Sequence, residues 1–213
     1  MPKTSQHIND SVLAAMSVKT NGPRLDIHDI VNFQIVILNP VTLEQDFSIP
    51  SFAIDMKPLK PDNVIYSDYK TAYCTDEVFK RNCKIGLPID AAIDQFCSWY
   101  KRLKCDKITP IVYNWSETRN FVESMFLWND NSNYFYEFFT NQARDIFSTI
   151  ITTHDLYFYK TGKNSKLKLA TSADTFIKMH GLDPVSSENS TADAQNTGKI
   201  YKYIMDLLVE EGL

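Results

Sequence analysis

The sequence predicts an α/β domain built on a mixed sheet, three antiparallel strands first and parallel strands after, with helices on its faces. Three observations point there. Two apolar runs near the start, Leu13 to Val18 and Ile30 to Leu38, stop at turn signals, Asn21-Gly22-Pro23 and Asn39-Pro40. From Pro88 onward the apolar spacing lengthens from the strand period of two to the helical period of about 3.6. A short apolar strand, Ile108 to Tyr113, then falls between two helical stretches, as expected when helices cover a sheet.

The bulk properties narrow the classes. A chain of 213 residues, 44% hydrophobic and 23% charged, fits one domain over 1–213 with a full core, residues 1–10 forming a flexible polar start. The net charge of −4 provides no general attraction for phosphate backbones, so nucleic-acid binding would need a local basic patch. Cys74, Cys83, Cys97 and Cys105 contain no C-x-x-C pair and follow no signal sequence, which predicts reduced thiols and a cytoplasmic protein. No apolar run reaches the roughly 18 residues of a membrane span, so no membrane partner is expected.

In the opening strand Ser17 and Lys19 stand two apart and share one face of the sheet. Ile30 to Leu38 alternates as a strand with a buried face. Leu43 to Ile54 reads as its hairpin partner, Pro50 marking an edge or bulge. Met56 to Tyr73, with three prolines, reads as a loop. Ala92, Ile93, Phe96, Cys97, Tyr100 and Leu103 define a helix started by Pro88. After the strand at Ile108, Ser116 is the expected cap of a helix burying Phe121, Val122, Met125 and Phe126. Asn129 to Asn133 reads as a loop before the aromatic segment Tyr134 to Phe139. Helices follow over Asp145 to about Tyr157, over Ala173 to His180 and from about Thr191 to Glu210, with a mobile basic connection at Lys160 to Lys168.

Taken together these segments resemble the DEDDh (DnaQ-like) 3′→5′ exonucleases of the RNase H-like superfamily. Ser17-Val18-Lys19-Thr20-Asn21-Gly22 occupies the place of the family's Asp-x-Glu-Thr-x-Gly. Asn114-Trp115-Ser116-Glu117-Thr118 stands where Asn-x-x-Phe-Asp is typical, and Glu188 to Asp193 matches His-x-x-x-x-Asp with glutamate for histidine. The resemblance implies an RNase H-like fold with a mixed five-stranded sheet. It also implies family-equivalent positions at Ser17, Lys19, Thr118, Glu188 and Asp193, of which Asp193 alone keeps the family's residue.

The family's reaction is hydrolysis by two metal ions about 4 Å apart, held by clustered carboxylates. Magnesium requires hard, anionic oxygen ligands. Ser17, Lys19 and Thr118 remove three of the four acids, so no metal site and no cofactor are expected. An ammonium at Lys19 is expected to meet Asp193 where a metal once balanced the charge. If that pair is buried, losing Lys19 would cost about 3–5 kcal/mol. The leading expectation is therefore a pseudo-exonuclease that binds without cutting. Its partner would be single-stranded nucleic acid or nucleic-acid ends, or a protein partner or second copy anchored on Tyr134 to Phe139. Asn114 and Trp115 at the mouth, and the basic run Lys101, Arg102 and Lys104, are the candidate contacts. The alternative is an active 3′→5′ exonuclease dependent on Mg2+ or Mn2+, its acids rebuilt from Asp26, Asp29, Glu44 or Glu117. His28, His154 and His180 lack metal-ligand spacing.

Overall fold

A computed structural model describes residues 11–26, 28–59, 76–127, 134–186 and 190–213. Strands β1 (Ser11–Thr20), β2 (Ile30–Leu38), β3 (Phe52–Asp55), β4 (Lys107–Val112) and β5 (Arg144–Asp145) form one sheet in the order β3-β2-β1-β4-β5. The first three are antiparallel neighbours, whereas β4 runs parallel to β1 and β5 parallel to β4. The described helices are α1 (Asp76–Ile85), α2 (Ile89–Leu103), α3 (Trp115–Leu127), α4 (Tyr134–Phe138), α5 (Ile146–Thr161), α6 (Ala173–His180) and α7 (Ala192–Glu210). The predicted mixed, helix-flanked sheet is the one observed.

Helices cover both faces, which is why β1 reads as an unbroken apolar run from Val12 to Met16. Alternate residues divide between two cores. Val12, Ala14 and Met16 join Phe33, Ile35 and the buried sides of α2, α3 and α4. Leu13 and Ala15 join Val36, Leu38 and the buried sides of α5, α6 and α7. Gly198 of α7 lies against this second face, where an added Cβ would meet Leu38 Cδ2 at 3.2 Å and Ala15 Cβ at 3.4 Å. A glycine inside a helix costs about 1 kcal/mol. Here it lets α7 lie close over the central strand.

Several predicted elements are corrected. The hairpin partner of β2 is the short Phe52–Asp55 and not Leu43 to Ile54. Asn39 Oδ1 accepts from the amides of Val41 and Thr42, Leu43 adopts a left-handed φ of 57°, and the ladder makes a single bridge at Gln45 before leaving the sheet. Helix α1 was not predicted, because its weakly apolar sequence buries little beyond Val78 and Phe79 against Val31. Its Asn82 Nδ2 donates to the Val31 carbonyl. The cap of α3 is Asn114, whose Oδ1 accepts from the Glu117 amide and the Ser116 hydroxyl, so Ser116 is a donor to the cap. Helix α5 continues to Thr161, and the basic connection after it is fastened: Leu167 is buried, and Glu211 accepts from Ser165 Oγ and the Lys166 amide. The loop predicted at Asn129 to Asn133, most of Met56 to Tyr73, and residues 1–10 lie outside the described residues.

Candidate functional site

Strands β1 and β4 are parallel, so their C-terminal ends lie at the same edge of the sheet. A cleft of about 140 Å³ opens there. Ser17, Lys19 and Thr20 of β1 line it together with Asn114, Glu117 and Thr118 at the start of α3. Thr171, Ser172 and Asp174 from the start of α6, and Asp193, Asn196 and Thr197 from the first turns of α7, complete the wall. Of the five family-equivalent positions, Ser17, Lys19, Thr118 and Asp193 thus share one cleft. Glu188 lies outside the described residues.

Lys19 Nζ lies 2.7 Å from Asp193 Oδ2, the two side chains being 37% and 30% exposed. The expected contact exists, but in a half-open cleft rather than a buried one. Water screens such a pair, and its worth falls from the expected 3–5 kcal/mol to about 1 kcal/mol or less.

The pair rests on a residue that motif matching missed. Gln34 of β2 is in register with Ser17 of β1 and is buried. Its Nε2 donates to Asp193 Oδ2 at 3.1 Å and to Asn32 Oδ1 at 2.7 Å. Its Oε1 accepts from the backbone amides of Asp193 and Ala194 at 3.1 and 3.2 Å. One side-chain amide therefore satisfies two of the otherwise orphaned amides of α7 and holds the carboxylate of its first turn. The signal was present: Asn32 and Gln34 are two apart and polar within an otherwise apolar strand. Asn196 Oδ1 accepts from the Val185 amide and ties the incoming chain to the same helix.

The other two acids in the cleft have a common cause. Glu117, Asp174 and Asp193 each occupy the first turn of a helix, where the exposed amides favour a carboxylate. Of the alternative acids, only Glu117 lines the cleft. Asp26 pairs with Arg24 at 2.7 Å, and Asp29 Oδ2 accepts from the Leu59 amide in a separate small pocket. Among the described residues, no group of three or more His, Cys, Asp or Glu is arranged to hold a metal ion.

The remaining candidates separate. Asn114 is exposed on the cleft wall, but Trp115 packs into the core with its ring 6.0 Å from Phe135, and its amide donates to Asp145 Oδ2. Lys101, Arg102 and Lys104 are exposed at the end of α2, next to the start of β4. The pairing of Lys107 with Ser11 puts them about 20 Å along the strands from Ser17, at the far end of the sheet. They do not belong to the cleft. The aromatic segment is not an exposed anchor either, because Phe135, Phe138 and Phe139 are buried and fill the first core.

His28 and His180 serve structure. His28 is buried, its Nδ1 accepts from the Arg24 amide, and its ring fills the space where a side chain on Gly22 would sit. Burial pushes its pKa below the ordinary value, and does the same at His180, whose ring stacks on Phe176 and whose Nε2 accepts from the Lys168 amide.

No family model and no curated protein matches the sequence. Solved structures do. Exonuclease I of E. coli in complex with a dT13 oligonucleotide is 13% identical, with a TM-score of 0.67 over 94% of this chain and 42% of that one. An ExoI/SSB-Ct complex gives 13% identity and a TM-score of 0.69 over 95% and 43%. Cell-death related nuclease 4 gives 13% identity and 0.63 over 95% and 66%. This chain spans less than half the length of exonuclease I. No described helix is long and apolar enough to cross a membrane. The sheet order, the helices on both faces and these likenesses together establish that the chain has the RNase H-like fold of the DnaQ-like exonucleases.

Proposed function

We propose that this protein is an exonuclease-fold protein whose cleft has exchanged two-metal hydrolysis for binding, with a single-stranded nucleic-acid end as the ligand. The observation that carries the proposal is the Lys19–Asp193 pair. Asp193 Oδ2 already takes a charge-assisted bond from the ammonium at 2.7 Å and a second from Gln34 at 3.1 Å. Ser17 and Thr118 offer neutral hydroxyls where two divalent cations would need anionic oxygens. This donor set does not fit a pair of metal ions. The ammonium of Lys19 stands on the cleft wall, where it is already paired with Asp193.

The choice of ligand rests on the fold and on the wall. Exonuclease I of the same fold is found with bound oligonucleotides. The cleft here presents hydroxyl and amide groups from Ser17, Thr118, Asn114, Thr171 and Ser172, suited to phosphate and sugar oxygens. With the basic run of α2 at the far end of the sheet, few phosphates are neutralised. The logarithm of affinity should then fall with the logarithm of salt with a slope near −1, since each phosphate contact on a single strand contributes about −0.7.

The competing reading, a metal-dependent exonuclease, draws on Glu117 and Asp174 beside Asp193. One pair of experiments separates the two. Fluorescence anisotropy with labelled dT13 should show saturable, weakly salt-dependent binding, and gel time courses with Mg2+ or Mn2+ should show no shortening of the same strand. Metal-dependent shortening abolished by Asp193→Asn overturns the loss of hydrolysis. Absence of binding up to about 1 mM, where the free energy is only about −4 kcal/mol, overturns the ligand assignment. In the variant combining Ser17→Asp, Lys19→Glu, Thr118→Asp and Glu188→His, calorimetry should register Mn2+ binding that the parent lacks.

A further inference from the structure

Among the described residues lining the cleft, Lys19 carries the one positive charge, against the carboxylates of Glu117, Asp174 and Asp193. That ammonium is engaged, with Nζ 2.7 Å from Asp193 Oδ2. A nucleic-acid end entering the cleft presents phosphate oxygens that need the same donor, and Asp193 stands beside them as a like charge. The two members of the pair are held differently. Asp193 is fixed: Gln34 Nε2 donates to its Oδ2 at 3.1 Å, Gln34 Oε1 accepts from its amide at 3.1 Å, and its place in the first turn of α7 favours a carboxylate. Lys19 is the movable member, a part-exposed point charge on a flexible four-carbon stem.

We propose that the Lys19–Asp193 pair is a self-inhibitory latch: at rest Asp193 occupies the ammonium, and an incoming end is bound when Lys19 exchanges Asp193 for a phosphate. The latch rests on the cleft being the nucleic-acid site proposed above. Its release needs no change of backbone. Asp193 keeps Gln34 and the helix amides when the ammonium departs, and water reaches its part-exposed carboxylate. The same exposure limits the latch. A screened pair of this kind resists exchange by about threefold to fivefold in affinity, the ratio that about 0.6 to 1 kcal/mol produces. The role of the one acid kept from the exonuclease motif is thereby inverted: in a two-metal site losing its charge weakens the site, whereas here losing it strengthens binding.

Fluorescence anisotropy of the full chain with labelled dT13, in the presence of a chelator, tests this. Asp193→Asn removes the charge and keeps an acceptor for Gln34, so its circular dichroism spectrum should match that of the parent. It should bind about threefold to fivefold more tightly, with a salt slope steeper by up to about 0.7, the value of one uncompensated phosphate contact on a single strand. In a Lys19→Met background the same change should bring no comparable gain, because there is no ammonium to release. Asp174→Asn removes an equal charge from the same wall and should tighten binding less than Asp193→Asn. A gain as large from Asp174→Asn, or one that survives Lys19→Met, overturns the latch in favour of general repulsion. Equal affinities of the parent and Asp193→Asn overturn the latch and leave the ligand assignment standing. Binding by neither up to about 1 mM overturns the ligand assignment, and the latch with it.

Discussion

The two faces of the sheet are packed by different means. On one, Phe96 stands among Phe33, Phe52, Trp99, Tyr100, Phe126, Phe138 and Phe139, with ring centroids 5.1 to 6.3 Å away. On the other, α7 meets β1 and β2 through Gly198, Ala194, Ala15 and Leu38. Large rings fill the wide gap between sheet and helices and contribute much of the buried apolar area. Small residues contribute little area but bring a helix N-terminus down onto the polar tail of the central strand. The same strand serves both, its even positions facing the rings and its odd positions leading through Ala15 to Ser17 and Lys19. Both faces carry a buried core, and the second also positions the cleft.

That contrast can be broken from either side. The largest effect is expected from Phe96→Ala, which removes a fully buried ring and should cost about 3–5 kcal/mol in chemical denaturation while leaving the Lys19–Asp193 coupling unchanged. Gly198→Val should cost up to about 3 kcal/mol by overpacking against Leu38 and Ala15, and by lifting α7 it should also abolish that coupling. Equal effects of the two changes on the coupling would mean that the faces do not divide the labour. Gln34→Leu should cost about 2 kcal/mol, since two helix amides lose their acceptor. A loss within about 0.5 kcal/mol, the size of an ordinary surface change, would show that water replaces the glutamine without penalty.

The remaining effects are smaller. A double-mutant cycle of Lys19→Met and Asp193→Leu should return a coupling of about 0.5–1 kcal/mol, the range of a part-exposed pair. A coupling several times larger would mean that the cleft is drier than its exposure indicates. The smallest effect is a pH dependence from His28. Its folded-state pKa lies below the unfolded value of about 6.5, so the unfolded chain binds the proton first. Its contribution to stability should be complete above that value and lost as pH falls toward the folded-state pKa. His28→Gln should flatten this part of the stability profile, measured by denaturation between about pH 5 and 8.

Local rules made much of this molecule legible. The period of two put Ser17 and Lys19 on one face whatever the fold, and the helical spacing from Ala92 to Leu103 and from Ile200 to Leu207 fixed which sides of α2 and α7 are buried. Turn chemistry marked Pro88 as a helix start. The order of strands and helices then admitted few sheets. What needed the tertiary structure was every statement about distance between segments. Asp193 meets Lys19 because Gly198 and Ala15 are small enough to let α7 approach, and Gln34 supports it because β2 happens to be in register there. The basic run of α2 was conspicuous in sequence yet ends at the far end of the sheet, and Phe135, Phe138 and Phe139 of the aromatic run are core because the gap above β4 needed filling. Burial and proximity are properties of the assembled layers: a residue's own chemistry sets what it can do, while packing between distant segments decides what it stands next to.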